Sequence, residues 1–454
     1  MNADPTNPDP VKETETAGPA APKPDTLNAN ETIMIRVHRY RWLIFALLAS
    51  GYILVYFHRL CPAVLAVDLM RDLAAGGSVT GLLGAAYFYP YALMQLPAGL
   101  LSDSWGPRRT ITVFFVVAAA GAVFLGMAPT VSWAIVGRTI VGIGAAMLFV
   151  PTLKILAEWF RKREFAYMTG LLLAMGGVGT LTATAPLVWL SSRMGWRSAF
   201  VLVGILTLVM AVLVGIFVRN RPADLGWPSP LEPSPGVDGA GNGLVVGMKR
   251  VLSSGPFWAL AAWFFFDLGI FFSFAGLWGG PYLVHVYGMS RQETGRILAM
   301  LAFGLVAGAP LVSWLSDRVF RRRKPVLVIC AAAMIVMTGL LAFQTDGIPV
   351  WGLYALFFLM TVCGNASCVI AFTMNKELFP IEIAGTATGL VNLFPFAGGA
   401  VYQPLQGYIL ERWGGGPGEG FSTAGYEAAF LALFITAFAA FGAALLTRET
   451  LEGP

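Results

Sequence analysis

Three ionisable side chains stand inside apolar runs that should exclude them. They are Arg59 in "RWLIFALLASGYILVYFHRLCP", Arg138 in "GRTIVGIGAAM" and Asp267 in "WFFFDLGIFF". A charge within a bilayer-crossing stretch costs roughly 2.5–3.5 kcal/mol on insertion scales, so each needs a reason to be there. Arg59 lies about 25 Å beyond Trp42 along a helix rising 1.5 Å per residue. A guanidinium at that depth can grip a carboxylate or phosphate through two parallel hydrogen bonds. Its expected role is contact with an anionic substrate, the alternative being an internal structural pair. Arg138 is either functional or a buried arginine bonded to neighbouring carbonyls. Asp267, a lone carboxyl among phenylalanines, suits proton binding and equally suits a fixed partnership with a buried arginine.

Weaker candidates surround these three. His58 adjoins Arg59 but points about 100° away around a helix, which favours a structural role. His285 falls near the end of its run and reads as interfacial. Lys154 and Glu158 read as gate or loop contacts. Tyr52, Tyr56, Tyr87, Tyr91, Gln95, Asn365, Asn392, Gln403 and Gln406 could line a cavity or simply bond between helices. Tyr87, Tyr91 and Gln95 follow an i, i+4, i+8 rule and share one helix face. The glycines of "AMGGVGT" and "FAGGAVY" read as close-packing or hinge positions.

These residues must be carried by a chain whose solvent is lipid. Of its 454 residues 57% are hydrophobic and 12% charged, about half the charge of a soluble domain. No basic stripe with interleaved aromatics points to nucleic acid. The four cysteines, Cys61, Cys330, Cys363 and Cys368, form no CxxC pair. They read as small buried hydrophobes, not as a disulfide framework or metal site. No cofactor motif is present, and HExxH and GxSxG are absent, which argues against an enzyme.

Twelve apolar segments long enough to cross a membrane are expected, near 42–66, 79–101, 110–128, 131–158, 166–190, 198–218, 257–284, 291–315, 325–343, 349–375, 383–410 and 426–447. Helices are required, because lipid offers no partner to an open backbone. This predicts an all-α membrane protein of two pseudo-symmetric six-helix bundles. The boundaries are a disordered tail over 1–33, a first bundle over 34–218, a linker over 219–256, a second bundle over 257–448 and a tail over 449–454. The linker is Pro/Gly-rich, and its "VVGMKRVLSS" portion predicts a short surface helix. Lys and Arg are biased roughly three to one toward the loops on the side of the termini and linker, which makes that side cytoplasmic.

The halves repeat. A shift of 214 residues carries Thr80-Gly81 onto Thr294-Gly295 and Ser102-Asp103 onto Ser316-Asp317. A shift of 219 carries Glu158 onto Glu377, Thr169-Gly170-Leu171 onto Thr388-Gly389-Leu390, and Arg138 onto Phe357. Two copies of one unit imply a site at their interface and rocking of one half against the other. The charge of Arg138 is thus specific to one half, which favours function over fold.

The stretch "GLLSDSWGPRRT" over 99–110, echoed by "SWLSDRVFRRRK" over 313–324, resembles the signature loop of the major facilitator superfamily. The resemblance implies that Asp103 pairs with charges on neighbouring helix ends and that Gly99 permits close helix approach. Gly99, Asp103, Arg108, Arg109, Glu158, Asp317 and Arg318 form the expected gating set. The RxxxGxG spacing at Arg138 resembles a second signature of that superfamily, whose arginine is linked to the coupling of substrate and proton.

Span one narrows the resemblance to the organophosphate:phosphate antiporters and the related anion:cation symporters, as do "LWGGPYLVHV" and "SDRVF". In phosphate-exchanging members the counterpart of Arg59 works with a second arginine, a lysine and a histidine. The matching positions here are Phe272, Gln95 and Leu173. A doubly charged phosphate needs more than one cation to offset its desolvation. One arginine with amides and tyrosines suits a singly charged carboxylate.

The resulting expectation is a monomeric, multi-pass secondary transporter in a bacterial inner membrane, moving a small organic anion by alternating access. Proton symport is the expected coupling, with Arg138 and Asp267 as its candidates. Alternatives are a zwitterion carrier, a proton-driven exporter of amphipathic compounds, and a transport-dead membrane sensor.

Overall fold

The computed structural model describes residues 24–227, 240–415 and 420–451. The expected tail therefore lies outside the described residues up to position 23, as do 228–239 of the linker and 452–454. From Pro24 the chain is already helical and runs without a break through Asp72, so the helix begins ahead of the boundary expected at residue 34.

Among the described residues the chain makes twelve helical passes. Span one is the apolar part of that first helix, Met34–Asp72. Span two is Gly77–Leu93 continued by Gln95–Ser104. Spans three and four are Pro107–Gly126 and Val131–Trp159. Span five begins as Lys162–Thr182 and continues into Ala185–Phe217, where Gly195 at φ 76° breaks the helix and starts span six. That positive φ suits a glycine, which carries no Cβ to clash. Spans seven to ten are Gly255–His285, Arg291–Phe320, Lys324–Phe343 and Val350–Glu377. Span eleven is Ile381–Val391 continued by Leu393–Gly414, and span twelve is Thr423–Leu446. The expected surface helix of the linker is present as Ala240–Leu252.

The second half is interrupted by π-helical turns at Phe274–Trp278, Leu315–Phe320 and Thr361–Ala366. Such turns recur at functional sites and hinges.

With an even number of passes, the linker and both described ends lie on one face, the linker face; the other is the far face. At the far face the two halves are pressed together by glycine. A Cβ on Gly81 of span two would sit 2.5 Å from the Gln403 carbonyl oxygen of span eleven, and one on Gly407 2.1 Å from that of Gly77. A Cβ on Gly280 of span seven would sit 1.7 Å from the Ala63 carbonyl oxygen of span one. Two polar clasps cross the same seam. Asp68 pairs with Arg291, and the Glu411 carboxylate accepts from the Ser78 N–H at 2.9 Å and from its hydroxyl.

Toward the linker face the halves part. Gln95 and Asn392 still meet, at 2.9 Å, beside the breaks at Met94 and Asn392 in spans two and eleven. One turn further, a Cβ on Gly99 would meet nothing within 4 Å; the same holds for Gly385 and Gly389, which share the Asn392 face. Along the second seam Gly177 of span five packs on Val306 of span eight, whereas Gly170, two turns nearer the linker face, meets nothing. The close approach expected of Gly99 is therefore not made in this conformation, because the helices it would join have diverged.

Candidate functional site

Tyr52, Tyr56 and Arg59 share one face of span one at i, i+4, i+7 spacing, opposite the Tyr87, Tyr91 and Gln95 face of span two. Tyr56 reaches the interior over span five, where a Cβ on Gly176 would lie 2.8 Å from its ring and one on Gly179 2.4 Å from the Ile53 carbonyl oxygen. Gly176 and Gly179 of "AMGGVGT" thus serve close packing of span five on span one, while Gly177 faces span eight.

Arg59 is 4% exposed. Its guanidinium carbon lies 4.5 Å from the ring centre of Tyr56, 4.9 Å from Phe396, 5.0 Å from Tyr91 and 5.9 Å from Phe272. Among the described residues no carboxylate pairs with it, and its Nε has no hydrogen-bond partner. Cation–π attraction of about 2 kcal/mol for a desolvated contact offsets part of the burial cost. It leaves the guanidinium without a counter-charge, with the Tyr87 and Tyr91 hydroxyls in hydrogen-bonding reach. Phe272, where the resemblance expects a second arginine, is a wall of this aromatic box, stacked on Phe396 at 5.8 Å and tilted against Phe88 at 5.1 Å. The site gathers one fixed cation from the first half and apolar surface from the second.

Arg138 is 2% exposed and sits behind the box. One of its terminal nitrogens donates to the His58 main-chain carbonyl at 2.7 Å, and the guanidinium lies 5.0 Å from the Tyr87 ring centre. In an unbroken helix the His58 carbonyl would accept from residue 62, but that residue is Pro62, which has no N–H. Arg138 supplies the missing donor and so braces the turn that carries Arg59. Its Nε and other terminal nitrogen have no partner among the described residues. The His58 ring instead turns to Thr207, its Nε2 3.2 Å from Oγ1, away from the box. Phe357, at the position equivalent to Arg138, packs on Phe274 at 5.0 Å.

The softer set divides. Tyr52 stacks on Phe149 at 5.6 Å and meets Tyr56 edge-on at 5.1 Å; Tyr87 stacks on Tyr91 at 5.5 Å. Gln95 and Asn392 satisfy each other across the halves. Gln403 donates to the Phe272 carbonyl at 2.8 Å, two residues before the first π-helical turn, and its main-chain carbonyl accepts from the Trp278 indole at 2.9 Å. It buttresses span seven at the far-face seam. Gln406 accepts from Ser273 at 2.7 Å. Asn365 lies in the π-helical turn of span ten. Asp267 is fully buried, and neither carboxylate oxygen has a hydrogen-bond partner among the described residues. His285 sits near the far face, its Nδ1 3.1 Å from the Tyr426 hydroxyl.

At the linker face each half holds its own charges. Lys154 of span four pairs with Asp103 at the end of span two and donates to the Ser102 carbonyl at 3.3 Å. In the second half Arg323 binds Asp317 and, at 3.2 Å, Glu377. Arg108 instead ties span three to span six, donating to the Gly215 carbonyl, while its N–H bonds the Asn220 side chain at 2.9 Å. Arg109, Glu158 and Arg318 form no ion pair among the described residues. Four elements escaped the sequence reading: Arg323, Phe396, the glycine seam at the far face and the polar clasps Asp68–Arg291 and Ser78–Glu411 that cross it. The 214-residue shift contains the signal for the first, since it carries Arg109 onto Arg323.

Comparison with known proteins agrees with this architecture. The family model described as "Major Facilitator Superfamily" matches residues 48–290 and 268–453. A probable sulfoacetate transporter of Cupriavidus necator is 23% identical, the match covering 82% of this chain and 88% of the relative. The glycerol-3-phosphate transporter of Bacillus subtilis is 25% identical over 83% of this chain and 88% of its own length. The hexuronate transporter of Escherichia coli K12 is 24% identical over 85% and 91%. Among solved structures, a bacterial homologue of the human lysosomal transporter Spinster superposes with a TM-score of 0.70 at 19% identity, covering 89% of this chain and 97% of that one. A D-xylose–proton symporter superposes at 0.68 and 17%, covering 91% and 98%. These likenesses show the fold, and the family match spans nearly all of both halves. A membrane-embedded, twelve-span chain with this repeat belongs to the major facilitator superfamily, a family of transporters and not of enzymes.

Proposed function

We propose that this chain moves a small organic anion, a carboxylate, across a bacterial inner membrane by alternating access, driven by proton symport. The observation that carries the reading is Arg59: buried in an aromatic box between the halves and paired with no carboxylate among the described residues. A buried cation left without a counter-charge is tolerated where an anion completes it. The relatives bearing names such as sulfoacetate, glycerol-3-phosphate and hexuronate transporter support a small anionic cargo. The rings of Phe272 and Phe396 favour a singly charged group over a phosphate. Tyr52, Tyr56, Tyr87 and Tyr91 offer hydroxyls to the same cargo.

In this reading the termini and linker are cytoplasmic, the monomer is the working unit, and the described conformation is closed outside and parted inside. Asp68–Arg291, Ser78–Glu411 and the glycine seam hold the outer gate. Asp103–Lys154 and the Asp317–Arg323–Glu377 cluster belong to the inner gate. Arg138 acts in coupling by holding the turn of span one that presents Arg59.

Counterflow in proteoliposomes tests the proposal. Labelled glucuronate or sulfoacetate should accumulate against unlabelled internal substrate, and faster when the outside is acidic. Binding of an anion with no counterflow would make the chain a sensor and not a carrier.

A further inference from the structure

Asp267 is unlike Asp68, the other buried acid described above, which pairs with Arg291. Asp267 is fully buried and neither oxygen has a partner among the described residues. Nor does it face the aromatic box. Phe272, which meets the Arg59 guanidinium, lies five residues on and therefore about 140° around the helix. The neighbours that share its face, Phe264 and Phe271, pack instead on Phe372 and on Gly364 of span ten. Asp267 thus looks into the interior of the second half.

The titratable groups beside it are thiols: Cys363 and Cys368 of span ten and Cys330 of span nine. Of the other elements packed on span seven, span one brings Arg59, which meets Phe272 on a different face of the helix, and no basic group pairs with Asp267 among the described residues. Span eleven contributes Tyr402, seated on Gly269 and Phe265; span twelve contributes Tyr426, which lies near the far face against Tyr282; and the linker helix brings Lys249 and Arg250 to the opposite end of span seven. Cys363 belongs to the π-helical turn Thr361–Ala366, as does Asn365. Cys368, one turn on, lies within electrostatic reach of both Asp267 and Arg59.

An isolated ionised carboxylate in so dry a place costs several kcal/mol, and among the described residues no basic partner compensates it. A hard metal cation needs roughly six oxygen ligands, which thiols and phenyl rings do not provide. A proton needs one carboxylate oxygen. We infer that Asp267 is where the coupling proton is carried, in the interior of the second half and apart from the anion at Arg59. The inference rests on the proton-symport reading above. Protonation converts the carboxylate to the neutral acid. Release requires water to reach Asp267 from one side, and the π-helical turn beside it is the weak point of span ten through which it can.

Infrared spectroscopy of the purified full chain tests this without knowledge of the cargo. Wild type should show the carbonyl stretch of a protonated carboxylic acid, insensitive to mild alkalinisation and lost in Asp267→Asn. In proteoliposomes with labelled glucuronate and sulfoacetate, Asp267→Asn should retain counterflow but lose accumulation driven by a pH gradient. Absence of the acid band in wild type, its persistence in Asp267→Asn, or intact gradient-driven accumulation by that variant would each overturn the assignment while leaving the symport reading untouched. Counterflow by wild type with no response to a pH gradient would instead overturn the symport reading, and this inference with it. Should the Asn variant fail a thermal-unfolding check, Asp267→Glu replaces it: the acid band must then move, and a stationary band places the proton elsewhere.

Discussion

The Arg138 guanidinium donates to the main-chain carbonyl of His58, 2.7 Å away, and thereby replaces the donor that Pro62 removes from span one. A charged residue on span four thus completes the hydrogen bonding of the helix that presents Arg59. The geometry connects the RxxxGxG signature to Arg59 through one carbonyl.

Removing that donor leaves the buried carbonyl with only the weak Cys61 thiol, 3.4 Å away, at a cost of about 1–3 kcal/mol. Arg138→Gln should lower the thermal unfolding temperature and weaken anion affinity about tenfold, the equivalent of 1.4 kcal/mol. Pro62→Ala restores the N–H, so the double variant should recover part of the loss. A double-mutant cycle with no coupling between the two positions would refute the brace.

Arg59→Gln removes the one cation of the box. Labelled glucuronate or sulfoacetate uptake should fall at least about a hundredfold, since a charge-assisted bidentate grip is worth roughly 3 kcal/mol. Unfolding temperature should change little, because Arg59 makes no ion pair among the described residues. Arg59→Lys should not rescue: an ammonium lacks both the fork and the flat stacking surface. Uptake retained by Arg59→Gln would remove Arg59 from the site.

The glycine seam predicts a conformational lock. A Cβ on Gly280 would overlap the Ala63 carbonyl oxygen at 1.7 Å, and one on Gly407 would press on that of Gly77 at 2.1 Å. Gly280→Ala and Gly407→Ala should hold the far face open and slow transport. Spin labels placed across that face should report a longer, broader distance than in wild type. Gly170→Ala, which meets nothing within 4 Å, is the control and should leave the distance unchanged.

Acid should undock the C-terminal tail. Burial acts to raise Glu449, but the main-chain N–H groups of Arg323, Leu451, Lys324 and Thr450 outweigh it and hold the carboxyl below its usual range. Two of those donors, Arg323 at 2.8 Å and Lys324 at 3.1 Å, open span nine, so Glu449 caps that helix from the tail. The folded value lies below the unfolded one. The stabilisation is therefore present above about pH 4.3 and is lost as pH falls through the folded value. Glu449→Gln should cost about 1 kcal/mol near neutrality and should flatten the acid limb of the unfolding-temperature profile. An acid limb identical in both proteins would show that the cap contributes nothing.

Much of the fold was legible before any coordinates. Apolar runs of roughly 20 residues mark the spans, and the 214- and 219-residue shifts mark the halves. The surface helix of the linker was readable as well. Boundaries were less so: the first helix begins at Pro24, ahead of the expected 34, although the break at Gly195 falls in the gap expected between 190 and 198. Of the candidate site, Arg59, Tyr56 and Tyr91 stand together, and Phe272 faces them where the alignment of motifs put it. Phe396 closes the box although nothing distinguishes it in sequence from the other phenylalanines, most of which face lipid or pack in cores.

Composition and periodicity were sufficient to decide that this chain spans a membrane as two repeated bundles, because burial of apolar helix faces depends on local pattern alone. They also singled out Arg59, Arg138 and Asp267, because a charge in a lipid-length run is anomalous whatever surrounds it. Which of these meets which was decided only by packing. Arg138 finds a carbonyl orphaned by a proline on another helix, Arg59 finds four rings from four different spans, and Asp267 finds no partner among the described residues. Contacts of that kind join positions far apart in the chain, and no short-range regularity records them.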